Sequence, residues 1–155
     1  MIGKNVSLVP GTNAMWHEFF SRYAADPMMD AMPFVYQQDI CEMAYEKRKN
    51  DATREYFSIM AGGELVGQIY LKHIDWNEKS AEFGIALIDD SVKGKGYGAE
   101  AIELLTEYAF DVLGLEVMTA NSVLRNVRSQ HVLEKVGFVY THSDEKFRYY
   151  RLEKR

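Results

Sequence analysis

The segment Val92-Lys93-Gly94-Lys95-Gly96-Tyr97-Gly98-Ala99-Glu100 sets glycines at alternate positions between a strand-like run, 81–88, and a helical run, 99–113. Glycine lets a backbone approach a ligand without Cβ obstruction. The helix that follows turns its unpaired N–H groups and the positive end of its dipole back into the loop. That combination suits a phosphate, and Lys93 and Lys95 add charge to it. A plain glycine-rich turn between strand and helix is the alternative. Alternation along 81–88 supplies a second candidate. Phe83, Ile85 and Leu87 face one way as core, whereas Glu82, Gly84, Ala86 and Ile88 face the other. A carboxylate beside minimal side chains makes a shallow track toward the glycine loop, or else a place where a helix packs closely and Glu82 is a solvated strand end.

The elements around these residues follow from pattern. Residues 4–9 read as a short strand, and Thr12 or Asn13 caps a helix carrying Trp16, Phe19, Phe20 and Tyr23. A methionine-rich connector, 28–35, leads to a second helix over 36–49. Strands at 54–61, 65–75 and 81–88, with turns at Gly62-Gly63 and 76–80, form an antiparallel meander. The helix 99–113 ends at Gly114, and a strand covers 115–123. Asn126 caps a further helix closed at Gly137, and two short strands fill 138–152. This order describes an α/β (α+β) domain with a mixed sheet.

The chain has 155 residues, 47% hydrophobic and 26% charged, which fits one globular domain over 1–155. A net charge of −5 argues against a general nucleic-acid surface, which needs a positive field. One cysteine, Cys41, excludes an internal disulfide, and His17, His73, His131 and His142 lack metal-ligand spacing. Residues 1–10 show no signal pattern, and no apolar run reaches membrane-spanning length, so the expected compartment is the cytoplasm.

Two nucleotide motifs fit less well, a dinucleotide fingerprint that stays as a lesser alternative and a Walker loop that fails. Gly94-Lys95-Gly96-Tyr97-Gly98-Ala99 fits G-x-G-x-x-A, with Glu116 about twenty residues on, but the loop does not follow tightly from its strand and the meander is antiparallel. No Gly-Lys-Ser/Thr follows for a Walker loop. Lys93-Gly94-Lys95-Gly96-Tyr97-Gly98 instead resembles the acyl-CoA loop of the GNAT N-acetyltransferases, Gln/Arg-x-x-Gly-x-Gly/Ala. Downstream, Asn126-Val127-Arg128-Ser129 and Val132-Leu133-Glu134-Lys135-Val136-Gly137-Phe138 resemble the second motif of the family, nearest its ribosomal-protein alanine and spermidine acetyltransferase branch.

The resemblance implies a mostly antiparallel sheet of about seven strands with about four helices, splayed between 81–88 and 115–123. It implies acetyl-CoA as co-substrate, with pantetheine on main-chain groups around Leu87 and Ile88 and pyrophosphate on Gly94, Lys95, Gly96, Tyr97 and Gly98, aided by Lys93. Asn126 and Ser129 would lie near the thioester. Glu82 is the candidate base, a backbone N–H near Ala86 or Leu87 the oxyanion donor, and Ser129 the candidate acid, since Leu133 stands where many relatives carry a tyrosine. Lys93 replaces the usual Arg or Gln and lacks the bidentate fork of arginine. The acceptor would be a primary amine on a protein N-terminus, a polyamine or a small molecule, against a pocket wall of Met28, Met32, Phe34 and Tyr36. A homodimer through the C-terminal strands is compatible with the sequence. A non-catalytic acyl-CoA sensor on the same fold is the second reading.

Overall fold

The structure, a computed structural model, describes residues 1–28 and 33–155. After β1 (Ser7–Pro10), the hydroxyl of Thr12 accepts the Met15 N–H at 3.1 Å and starts α1 (Asn13–Arg22). This helix buries Trp16 and Phe19, and the Trp16 indole N–H donates to the Cys41 carbonyl in α2 (Gln38–Arg48) at 3.0 Å. The meander follows as β2 (Glu55–Ala61), β3 (Glu64–Asp75) and β4 (Ser80–Leu87). A short helical turn, Asp90–Val92, and the glycine loop lead into α3 (Tyr97–Glu107). The helix expected over 99–113 thus starts earlier, and it finishes differently. Over Tyr108–Val112 it widens into a π-turn in which Leu113 N–H bonds to the Tyr108 carbonyl. The chain closes with β5 (Val117–Val123), α4 (Val127–Val136), β6 (Val139–Ser143) and β7 (Phe147–Glu153).

These strands form one sheet in the order β1-β2-β3-β4-β5-β7-β6, antiparallel except where β4 meets β5. The expected mixed, mostly antiparallel architecture is therefore present. Helices cover both faces of it. Behind the sheet, α3 and α4 bury Ile102, Leu105 and Leu133 against Ile69, Leu71, Phe83 and Met118. In front, Phe19 of α1 packs with Leu65 and Ile88 in a smaller cluster. Among the described residues no helix is long and apolar enough to cross a membrane.

The C-terminal hairpin carries a pH signature. Asp144 accepts the Tyr149 hydroxyl and the main-chain N–H groups of Phe147 and Lys146, and these bonds pull its carboxyl from 3.8 to about 2. A depressed carboxyl stabilises the fold above its unfolded pKa, and that contribution disappears as pH falls through the folded value. Wild type should therefore lose stability relative to Asp144→Asn between about pH 4 and 2, and show no such relative loss from pH 5 to 7. Parallel acid-unfolding curves for the two proteins check this; a constant offset down to pH 2 would remove the Asp144 contribution.

Candidate functional site

The site starts where a sheet fails to close. Strands β4 and β5 pair only through Ser80, Ala81 and Glu82 against Val117, Met118 and Thr119, and beyond them the strands part. The direction of the main chain along β4 then decides what lines the gap. Ile88 N–H bonds to the Val66 carbonyl on the β3 side. Main-chain groups alternate sides along a strand, so those of Phe83, Ile85 and Leu87 face the gap. Thr119 Oγ1, donating to the Ala81 carbonyl at 3.5 Å, marks the same side. A ligand chain entering this wedge meets an unused strand edge. The wedge holds a cavity of about 480 Å³ that runs from Glu82 past β4 to the glycine loop and the start of α4.

At the mouth of the wedge, Gly94 (φ 75°) and Gly96 (φ 82°) take left-handed backbone, and Gly96 caps α3. The first amide to bond within this helix end is that of Glu100, to the Gly96 carbonyl, so the Tyr97, Gly98 and Ala99 amides have no intrahelical partner. Glu100, the acid in the first turn of α3, is turned away: its carboxylate accepts the Asn5 and Val6 N–H groups at 2.8 and 2.6 Å. Lys95 is exposed beside the loop, 6.0 Å from the Tyr97 ring. Lys93 differs from expectation. Its ammonium bridges Asp26 and Asp90, each at 3.0 Å, and ties the segment after α1 to the loop. Burial works against the charge on Lys93, but the two carboxylates outweigh it and raise its pKa. Arg128 and Lys135, which sequence reading passed over, line the wedge instead. Arg128 lies inside the second motif, between the two residues that drew attention.

At the narrow end, Glu82 lies directly across from Lys72, whose ammonium sits 3.0 Å from one carboxylate oxygen; His73 Nδ1 is 3.8 Å from the other. Asn126 Oδ1 accepts the Ser129 N–H at 3.1 Å, so its side chain is committed to capping α4. Ser129 lines the wedge, and Leu133, also lining it, is buried. Three expectations change. Ile88 cannot offer main-chain groups to a ligand, because its N–H bonds to Val66 and its carbonyl accepts from Ala24; Leu87 keeps the expected orientation. The N–H groups facing the gap include Leu87 but not Ala86. The small-residue track is not open at Gly84, where a Cβ would meet the Tyr70 ring at 2.4 Å.

The residues expected as the acceptor wall are not among those lining the wedge. Met28, Phe34 and Tyr36 line neither this cavity nor the neighbouring one at the β2 edge. Phe34 packs on Phe20 and Tyr23, and the Tyr36 hydroxyl bonds to His17 at 2.7 Å, which in turn contacts Glu42. These residues anchor the connector to α1 and α2. Met32 lies outside the described residues. Tyr23, Asp26 and Tyr70 take the positions along the wedge.

A wedge between two half-parallel strands, with a glycine loop and helix N-terminus at its mouth, is the framework of an acyl-group transferase. The family model for the acetyltransferase (GNAT) domain matches residues 5–139, and the chain belongs to that family. The probable N-acetyltransferase YjcK of Bacillus subtilis (strain 168) is 32% identical over 96 residues, 61% of this chain and 53% of the relative. The chain thus spans about half the length of the curated relative it matches. Among solved structures, spermidine N-acetyltransferase from Vibrio cholerae in complex with CoA and spermine superposes with a TM-score of 0.86, 20% identity and coverage of 97% and 96% of the two chains. A chimera of that Vibrio enzyme with hSSAT gives a TM-score of 0.85 at the same identity and coverage. At that identity the likeness is one of fold.

Proposed function

We propose that this chain is an acetyl-CoA-dependent N-acetyltransferase in which a primary amine attacks the thioester directly. The observation that carries the reading is the unpaired β4 edge, running from Leu87 toward Glu82 beside a helix N-terminus suited to pyrophosphate. In this reading the amides of residues 94–98 hold the pyrophosphate, with Lys95 and Arg128 supplying charge. Lys93 joins them only by leaving Asp26 and Asp90. Pantetheine pairs with Leu87 and Ile85, which places the thioester near the N-terminus of α4. When bound, acetyl-CoA supplies the activated acyl group; the protein orients it and manages the proton.

An alkyl amine with a pKa near ~10.4 is less than about one part in a thousand neutral at pH 7, so its proton needs an acceptor. Glu82 takes it, directly or through a water, while Lys72 fixes one oxygen of its carboxylate. The N–H of Ile85 or Leu87, facing the gap, stabilises the tetrahedral oxyanion. Ser129 is positioned to protonate the departing thiolate, a minor task because a thiol of pKa ~8.5 leaves readily. The candidate acceptor classes are polyamines, of which the Vibrio structure holds one, peptide N-termini and small amines.

Thermal unfolding with acetyl-CoA, CoA and NAD(H) tests the cofactor. At about 100 times its dissociation constant a ligand adds roughly 2.7 kcal/mol. At about 2–4 °C per kcal/mol for a domain of this size, both CoA species should raise Tm by roughly 5–11 °C. NAD(H) should leave it unchanged. No shift with either CoA species would overturn the reading, and a shift without turnover of any amine would favour the sensor.

A further inference from the structure

On the face that carries α1 and α2, a second cavity of about 770 Å³ adjoins the wedge at the edge of β2, and Tyr70 and Lys72 line both. Residues directly opposite in neighbouring strands share a face. Tyr56 pairs with Tyr70 and Ser58 with Gln68, so Gln68 and Tyr70 look toward α1 and α2 together with Glu82, the partner of Lys72. Glu55 pairs with Leu71 on the opposite face, where it accepts the Tyr108 hydroxyl. The front lobe is therefore walled by the rings of Trp16, Phe20, Tyr45 and Tyr56, with Gln68 in its floor.

Among the described residues, two that line this cavity carry a buried side-chain oxygen without a partner, Glu55 (Oε2) on the other face and Gln68 on the front face. Gln68 is 5% exposed, and its side-chain oxygen has no hydrogen-bond partner among the described residues. A buried amide oxygen without a donor costs free energy that an incoming N–H or O–H would recover. Gln68 sits two residues, about 7 Å, along β3 from Tyr70, whose ring lies on Gly84 between lobe and wedge. Charge narrows the occupant further. Arg48, Lys49, Arg54 and Lys72 line the cavity, with Glu46, Asp51 and Glu82 paired to the last three, and Glu55, the carboxylate among its described lining residues, belongs to the other face. Among the described lining residues the front face thus offers no free carboxylate to pair with the second and third charges of a polycation.

We propose that the front lobe holds the body of the acceptor: a mono-amine on an aromatic or aliphatic frame, with one O–H or N–H donor that reaches Gln68, and not a polyamine. The proposal rests on the acetyltransferase reading and deepens it. The test compares kcat/KM for tyramine, phenethylamine and spermidine in wild type and Gln68→Leu, with the CoA-induced Tm shift measured on each protein. Tyramine should exceed phenethylamine by about tenfold in wild type, the value of one hydrogen bond to a buried group. Spermidine should rank below both. Gln68→Leu, similar in volume, should bring the tyramine-to-phenethylamine ratio near one. A wild-type ratio near one, a preference for spermidine, or no transfer to any of the three with the CoA shift intact would overturn this proposal and leave the cofactor reading standing. Loss of the CoA shift in wild type would fell that reading and the proposal with it.

Discussion

Glu82→Gln should lower kcat/KM for a strongly basic amine by about a hundredfold or more at pH 7, the range seen when a general base is lost. Glutamine keeps an oxygen for Lys72, which sits 3.0 Å from the carboxylate, so the strand pairing and the CoA-induced Tm shift should be unchanged. The sign of the pH dependence separates a base from a structural residue. As pH rises from 7 toward ~10 the amine deprotonates in solution and no longer needs the acceptor, so the deficit of the variant should shrink steadily. A deficit constant with pH would make Glu82 a positioning residue, and unchanged kcat/KM would remove it from the mechanism. Ser129→Ala, which lines the same wedge, should cost only a few-fold, because thiolate departure is already easy.

The glycine loop should give the next largest effect, by another route. Gly96 holds φ 82° as the cap of α3. A Cβ added there meets no atom within 4 Å, so the penalty of Gly96→Val comes chiefly from the backbone, about 1–2 kcal/mol for left-handed geometry. That corresponds to a Tm loss of about 2–8 °C at about 2–4 °C per kcal/mol. If the loop binds pyrophosphate, the rotated amides should also weaken CoA by at least about tenfold, the cost of one charge-assisted hydrogen bond. Gly98 is the control. It does not have positive φ, and the nearest atom to an added Cβ is Ile85 Cδ1 at 4.0 Å. Gly98→Ala should therefore raise Tm slightly, as alanine does within a helix, and retain CoA binding. Equal CoA affinity in Gly96→Val and wild type would return the loop to being an ordinary turn.

Lys93 shows how far a motif can be read. Its position in the loop drew attention to it as a phosphate ligand, yet its ammonium is held by Asp26, 67 positions away along the chain, and by Asp90. Burial opposes ionisation of Asp26, but the Met28 N–H and Lys93 outweigh it and lower its pKa, so the pair is charged on both sides. An anion entering the loop must compete with that clamp. Arg128 had the opposite fate: it carried no signal as a spacer between Asn126 and Ser129, and the fold brings it to the wedge.

Local signals in the chain determined the elements. Asn126 and Gly137 bound α4 because a cap and a stop act within a few residues, and the alternation of 81–88 sorted the faces of β4 because side-chain direction is a property of one strand. The glycine loop and the place of Glu82 on its strand were legible for the same reason, whereas Ser129 drew attention through the likeness of its motif to the family's. Tertiary structure alone decided how long β4 and β5 stay paired, which side of β4 the main chain of Leu87 offers, and that Ile88 spends its groups on Val66 and Ala24. It also laid Tyr70 over Gly84 and drew Met28, Phe34 and Tyr36 away from the cavities. Each of these depends on partners distant in sequence, chosen by packing and hydrogen-bond competition across the whole sheet, and no periodicity within one segment encodes that choice.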